Sequence, residues 1–382
     1  MILQVPPNIR THALLTHAAA AAAGAVLAGV LVWTLSPGLR HERSRHRLDP
    51  LSAPPSAYPW TELPEPAFPV PPYARFLKDR TIVLDPGHGG RSDRPNWKRG
   101  PTGLQEAEVN LSVARCLREF LAAAGANVVM TRDADVYLHV DDRTDLSMRI
   151  AIANEARADL FLSIHHNAAD SPDANYTSVF YHGDVEDHPA SVDAARNIVS
   201  GLDDALRLEQ RLGVALVSDF EIYPREGFRV LREARVPAVL SEASFHSNPV
   251  EEQRLRDLLY NRREAYGLFL GLARWAQAGL PSVSVAPQPA SQRRGGELVL
   301  KLDDGLSSRG GLGSRSSNIR ENTIEVRLGG SRLAHFYDAK KPELRVTLPP
   351  RAPRPGALYV DFANTFGQHV LHPWIELGTA NE

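Results

Sequence analysis

The chain has one cysteine, Cys116, in 382 residues. It therefore has no internal disulfide and no multi-cysteine metal site, and any metal must be held by imidazole and carboxylate. The shortage does not fix the redox compartment, because secreted chains can also lack bridges. An excess of charge of either sign is missing too. Against 43 Lys and Arg stand 45 Asp and Glu, a formal charge of -2, which gives no support to a nucleic-acid binder held by bulk positive charge. Hydrophobic residues at 43% and charged residues at 23% exclude a wholly disordered chain. There is no internal repeat, and the length suits about two domains.

Long apolar runs are scarce, with one exception. Residues 18–35 form an uncharged stretch of 18, rich in alanine and closed by Ser36-Pro37-Gly38. That is just long enough to cross a hydrocarbon core as a helix. A signal peptide, an uncleaved anchor and a buried alanine-rich helix compete for it. The pre-region carries only Arg10 and no clean small-x-small site follows, which weakens the signal reading. Arg40, Arg43, Arg45 and Arg47 come after the run, and the positive-inside rule then sets the anchor reading against export. Residues 1–48 are taken as this amino-terminal region. Residues 49–78 hold nine prolines up to Pro72 and read as a stiff extended connector.

From residue 79 the pattern alternates between strand and helix. Residues 81–84 are a short β-rich run ending in the turn Asp85-Pro-Gly-His-Gly-Gly90. A helix is predicted over 107–123, with Val109, Val113, Leu117, Phe120 and Leu121 on one face; Cys116 reads as a small core residue. A strand at 127–131, a helix at 142–158 and an apolar strand at 160–165 follow. Residues 176–181, 190–212 and 238–242 continue the alternation, and two helical stretches occupy 250–277. This is an α/β sandwich with a largely parallel sheet. Residues 280–296 read as a linker, and residues 297–382 switch to period two, a small β-rich domain of unknown role.

Open α/β sheets place ligands at the carboxyl ends of their strands, where four chemistry-bearing residues fall. His88 follows the first strand, Glu106 precedes the first long helix, and His165 and Glu242 close later strands. Two histidines and a carboxylate suit catalytic zinc, which keeps a fourth position for water. Glu242 is then free to accept a proton and pass it on. Each also has a plain structural reading: a turn histidine, a first-turn carboxylate answering helix amides, a strand residue. Strand alternation sends His165 and His166 to opposite faces, and His165 is preferred for the site. Arg149 and Asn154 lean towards pairing and pinning loops. Asn167 can orient a ligand through its amide, and His246 and Asn248 can either line the cleft or cap the next helix.

The motifs Thr81-Ile-Val-Leu-Asp-Pro-Gly-His-Gly-Gly90, Glu106-Ala-Glu-Val-Asn-Leu111, Thr131-Arg-Asp133 with Arg149-x-x-x-Ala-Asn154, Ala158-Asp-Leu-Phe-Leu-Ser-Ile-His-His-Asn167 and Pro237-Ala-Val-Leu-Ser-Glu-Ala-Ser-Phe-His-Ser-Asn248 occur in one order. In that order they resemble the zinc-dependent N-acetylmuramoyl-L-alanine amidases, of the cell-wall-separating type. The resemblance covers about residues 79–277 and implies a six-stranded, mostly parallel sheet flanked by helices over a catalytic domain at 79–279. It implies Zn2+ held by His88, Glu106 and His165, with Glu242 as the catalytic glutamate. The implied substrate is peptidoglycan, cut between the lactyl group of N-acetylmuramic acid and L-alanine, in the periplasm or cell envelope. Membrane association through residues 18–35 goes with the anchor reading. His166 stands where a small residue is usual, and Arg91, Arg94, Lys98 and Arg99 form a polar loop suited to an anionic stem peptide. Such a hydrolase needs restraint, by a regulatory protein partner or by an element within residues 184–226, which also read as ordinary helix and loop. The competing functions are a stem-peptide metallopeptidase and a non-catalytic wall-binding module.

Overall fold

The computed structural model describes residues 68–90, 98–210, 215–287, 296–306, 318–349 and 356–377. The apolar run at 18–35, most of the proline-rich stretch, and Arg91 and Arg94 lie outside the described residues. Among the described residues no helix is long and apolar enough to cross a membrane.

The central sheet has the strand order β2-β1-β3-β6-β4-β5. Its strands are β1 (Thr81–Pro86), β2 (Asn127–Met130), β3 (Leu160–Asn167), β4 (Ser178–Tyr181), β5 (Leu216–Ser218) and β6 (Ala238–Phe245). Strands β2, β1, β3 and β6 run parallel. β4 lies antiparallel to β6 and carries β5 parallel to itself. The expected six-stranded, mostly parallel sheet is therefore present.

Both faces are covered, which is why the strands are apolar along their length. On one face Ile82, Leu84, Leu160, Leu162 and Val239 join a core with α1 (Glu106–Ala123), α3 (Pro189–Leu206) and α6 (Leu258–Gln277). Cys116 is buried in this core. On the other face Val83, Phe161 and Leu240 pack with residues of α2 (Asp142–Glu155) and the short α4 (Arg229–Arg232). Each fully buried Leu or Phe contributes roughly 1.5–3 kcal/mol. Caps set the helix starts: Asp141 accepts from Thr144 N, and Asp257 from Leu259 N. Within residues 184–226, α3 is a core helix, followed by β5 and a short 3-10 turn at Asp219–Glu221. A Cβ placed on Gly201 of α3 would lie 2.2 Å from Gly267 O of α6, so the two helices meet backbone to backbone.

Two stretches differ from the sequence expectation. Inside the proline-rich stretch, Pro72–Leu77 forms a 3-10 helix whose Ala74 and Leu77 are fully buried in the main core. Inside the stretch read as a linker, Ser282–Val285 is a strand, β7, paired antiparallel with β8 (Glu297–Asp303). It occupies the edge of its sheet, where period-two alternation survives with one partner. With β7 as the edge strand of one of them, two four-stranded sheets enclose a separate core that includes Leu300, Val326, Leu344, Val346, Leu358, Val360 and Phe362. This is a β-sandwich, in keeping with the period-two pattern.

Candidate functional site

The turn after β1 is built from its backbone outwards. His88 adopts φ 60°, a left-handed conformation rare for a residue with a side chain. Two buried arginines hold it there. Arg149 donates to Pro86 O at 2.9 Å and His88 O at 2.6 Å. Arg132 donates to Pro86 O at 2.8 Å, Gly87 O at 3.0 Å and Ala107 O at 2.8 Å. Arg149 is also paired with Asp85 at 2.8 Å and Asp145 at 2.6 Å. Burial would raise the Asp85 carboxyl, but Arg149 and the hydroxyls of Thr131 and Ser163 hold it below its usual value.

Above this brace, His88, Glu106 and His165 converge, with one donor atom from each lying within 4.8 Å of the others. The Glu106 carboxylate divides into two unlike oxygens. Oε1 lies 3.0 Å from His165 Nδ1 and accepts from His166 N at 3.2 Å and Asn110 Nδ2 at 3.3 Å. Oε2 faces His88 Nε2 at 3.1 Å, His246 Nε2 at 3.7 Å and Lys98 Nζ at 4.0 Å. It is buried without a hydrogen-bond partner, as is His88 Nε2. Burial alone would raise the Glu106 carboxyl; the neighbouring His88 and His165 outweigh it and keep it well below the carboxylate range. Burial lowers the His165 imidazole from its usual value, which favours the neutral form a metal ligand needs. Two imidazoles and a carboxylate this close, with Glu106 Oε2 and His88 Nε2 unpartnered, are a donor set that could hold a divalent cation. Their spacing of up to 4.8 Å is wider than the roughly 3.4 Å edge of a tetrahedron with zinc-like bond lengths.

Glu242 is the register partner of His165 on the adjacent strand, so the two side chains share a face. The strand runs on to Phe245 rather than ending at Glu242, and a register shift follows the pair, as bulges beside functional sites often do. Its Oε2 is buried without a partner. Burial and the Glu106 charge push its carboxyl well above the usual range, against a smaller opposing pull from Lys98.

The remaining candidates separate. His166 points to the opposite face, between Asn110 and Glu264. His246 is 2% exposed with both ring nitrogens unpartnered, and burial lowers it to about 4, whereas Asn248 caps α5 (Pro249–Leu255). Asn167 accepts from the next amide, Ala168 N, and Arg99 donates to Gly103 O at 3.2 Å; both bonds are made within their own loops. Asn154 accepts from Arg235 N. Asn110 and Arg132 were missed as site residues. Asn110 lies four residues after Glu106, on the same helix face, which was a usable signal.

An open α/β sheet that gathers two imidazoles and a carboxylate at its strand ends, with a second carboxylate beside them, defines a hydrolase-class site fit for a divalent cation. Comparison with known proteins narrows the class. The profile described as N-acetylmuramoyl-L-alanine amidase matches residues 82–274, half of the sequence. The chain belongs to that family. The "Probable cell wall amidase LytH" of Staphylococcus epidermidis is 32% identical over 199 residues, 52% of this chain and 59% of that protein. The N-acetylmuramoyl-L-alanine amidase AmiC of Neisseria meningitidis serogroup B is 32% identical over 248 residues, 57% of this chain and 58% of that protein. The match thus spans less than two thirds of these relatives. Among solved structures, the CwlD amidase from Clostridioides difficile, in complex with the GerS lipoprotein, is 26% identical with TM-score 0.44, covering 52% of this chain and 98% of that one.

Proposed function

We propose that this chain is a zinc-dependent peptidoglycan hydrolase of the cell envelope. It cuts the amide between the lactyl group of N-acetylmuramic acid and the first L-alanine of the stem peptide. The observation that carries the reading is the convergence of His88, Glu106 and His165, with Glu242 side by side with His165. His88, Glu106 and His165 would hold the zinc ion, which when bound acidifies water and polarises the lactyl carbonyl. Glu242 does the proton work. Its unpartnered, buried Oε2 takes the proton of the attacking water and delivers it to the departing alanine nitrogen. A raised carboxyl affinity for protons suits a group that must hold one between the two steps. Arg149 and Arg132 keep the His88 turn in place throughout. Lys98 and Arg99, at the edge of the site, complement the carboxylates of a stem peptide.

The test is hydrolysis of purified peptidoglycan by the zinc-loaded protein. Newly exposed amino-terminal alanine is expected, with intact stem peptides by mass and no release in chelator. Glu242→Gln is expected to keep its zinc while turnover falls by about 10²–10⁴-fold. Fragments cut within the stem would replace this reading with a metallopeptidase. Sedimentation with the wall without any cleavage would replace it with a binding module.

A further inference from the structure

Glu264 is a fully buried carboxylate on α6 with Oε1 unpartnered, and His166 is similarly buried beside it. Neither is needed for the chemistry above, and burying such a pair is costly unless it is well hydrogen-bonded. We infer that His166 and Glu264 act through Asn110 as a positioning relay that decides which oxygen of Glu106 stays free for a cation. The inference rests on the reading of Glu106 as a metal ligand.

The hydrogen-bond valences carry it. Asn110 reaches Gly87 O at 3.2 Å and Glu106 Oε1 at 3.3 Å with one amide end. Both of those atoms are acceptors, so that end must be the NH2 group. The carbonyl end, Oδ1, therefore faces His166 Nδ1 at 2.8 Å, and Nδ1 must carry a hydrogen. The other ring nitrogen, Nε2, lies 2.8 Å from Glu264 Oε2, and one proton between them satisfies both. With the opposite tautomer, Nδ1 would present a lone pair and Asn110 would turn over. Its oxygen would then meet Gly87 O and Glu106 Oε1, and the carboxylate would lose its hold. In the observed order Oε1 is taken up by protein donors and Oε2 is left facing His88 Nε2. The backbone amide of His166 adds a second fix on Oε1 at 3.2 Å. One residue thus holds the ligand from its main chain and, through Asn110, from its ring.

The experiment measures zinc dissociation constants by chelator competition and the visible spectrum of the cobalt(II)-substituted protein. It compares wild type, His166→Ala, Asn110→Ala, their double variant and Glu264→Gln, with melting temperatures of the metal-free forms. Each single alanine variant is expected to bind zinc about 10–100-fold more weakly with an altered cobalt spectrum. The double variant is expected to lose no more than the worse single, because both interrupt one line. Glu264→Gln can still donate an amide hydrogen to Nε2 and preserve the tautomer, so its zinc affinity should stay within about threefold of wild type. Lower melting temperatures with unchanged affinity and spectrum would overturn the relay, as would additive losses in the double variant. If His166→Ala does not fold, Asn110→Ala carries the same expectation. A wild type that takes up no zinc would bring down the metal-ligand reading itself, and the relay with it.

Discussion

At the scale of single residues, the tightest constraint is a missing side chain. A Cβ on Gly87 would lie 2.1, 2.2 and 2.6 Å from Cε1, Nε2 and Nδ1 of His165. The imidazole therefore occupies the volume that any other residue at position 87 would fill. Gly87→Ala is expected to drive His165 out of line and weaken zinc binding by more than about 10-fold, at an overpacking cost of roughly 1–3 kcal/mol. Chelator competition and a denaturant titration check the two parts; unchanged affinity would show that His165 is not held by this contact. The sequence singled out His88, Glu106, His165 and Glu242 as candidates because the motifs keep one order, and the first three do lie together in the fold. It could not reveal that Glu106 has one occupied and one free oxygen, since that depends on distances between α1, β3 and α6. His246 was left between two roles for the same reason: its nearness to Glu106 is set by the register of β6 against β3.

At the scale of elements, the turn after β1 is tied not only to Arg132, which follows β2, but also to α2. Arg149 joins them, with Asp85 below, Asp145 one helical turn away and two turn carbonyls above. The guanidinium fork makes these contacts at once, which a lysine cannot. Arg149→Met leaves two buried carboxylates without their cation and is expected to cost about 3–5 kcal/mol in unfolding free energy. Arg149→Met combined with Asp85→Asn should recover part of that loss. Urea titrations of the three proteins decide it, and a single-variant loss below about 1 kcal/mol would contradict the brace. The helices and central strands were readable because their apolar periods are long. The 3-10 helix Pro72–Leu77 and strand β7 were not, since proline and serine density masks two short segments whose burial comes from partners far along the chain.

At the scale of the whole molecule, the seam between the amidase region and the β-sandwich carries charge that depends on pH. His369 donates its amide to Asp193 Oδ2 on α3 at 2.8 Å, and its ring Nδ1 lies 2.8 Å from the same oxygen. Burial would lower the His369 imidazole, but Asp193 outweighs it and raises it above its usual value. Asp361 accepts from Val370 N at 3.1 Å. Burial pushes its carboxyl up to about 6, with His369 opposing and Asp193 reinforcing. In the unfolded chain an aspartate ionises near 3.9. Between about pH 4 and 6 the folded state therefore holds a proton that the unfolded state has released, and stability falls as pH rises through that window. The His369 contribution is complete below its unfolded value near 6.5 and is lost as pH rises through its higher folded value, so both groups loosen the seam in the same direction. Asp361→Asn keeps an acceptor for Val370 N and removes the ionisation. It is expected to be more stable than wild type at pH 8 by about 2–3 kcal/mol, with the advantage shrinking to nothing near pH 4. Denaturant titrations of the two proteins across pH 4–8 measure the difference directly. A gap that stays constant with pH would mean that Asp361 ionises normally and that the seam is held by packing alone.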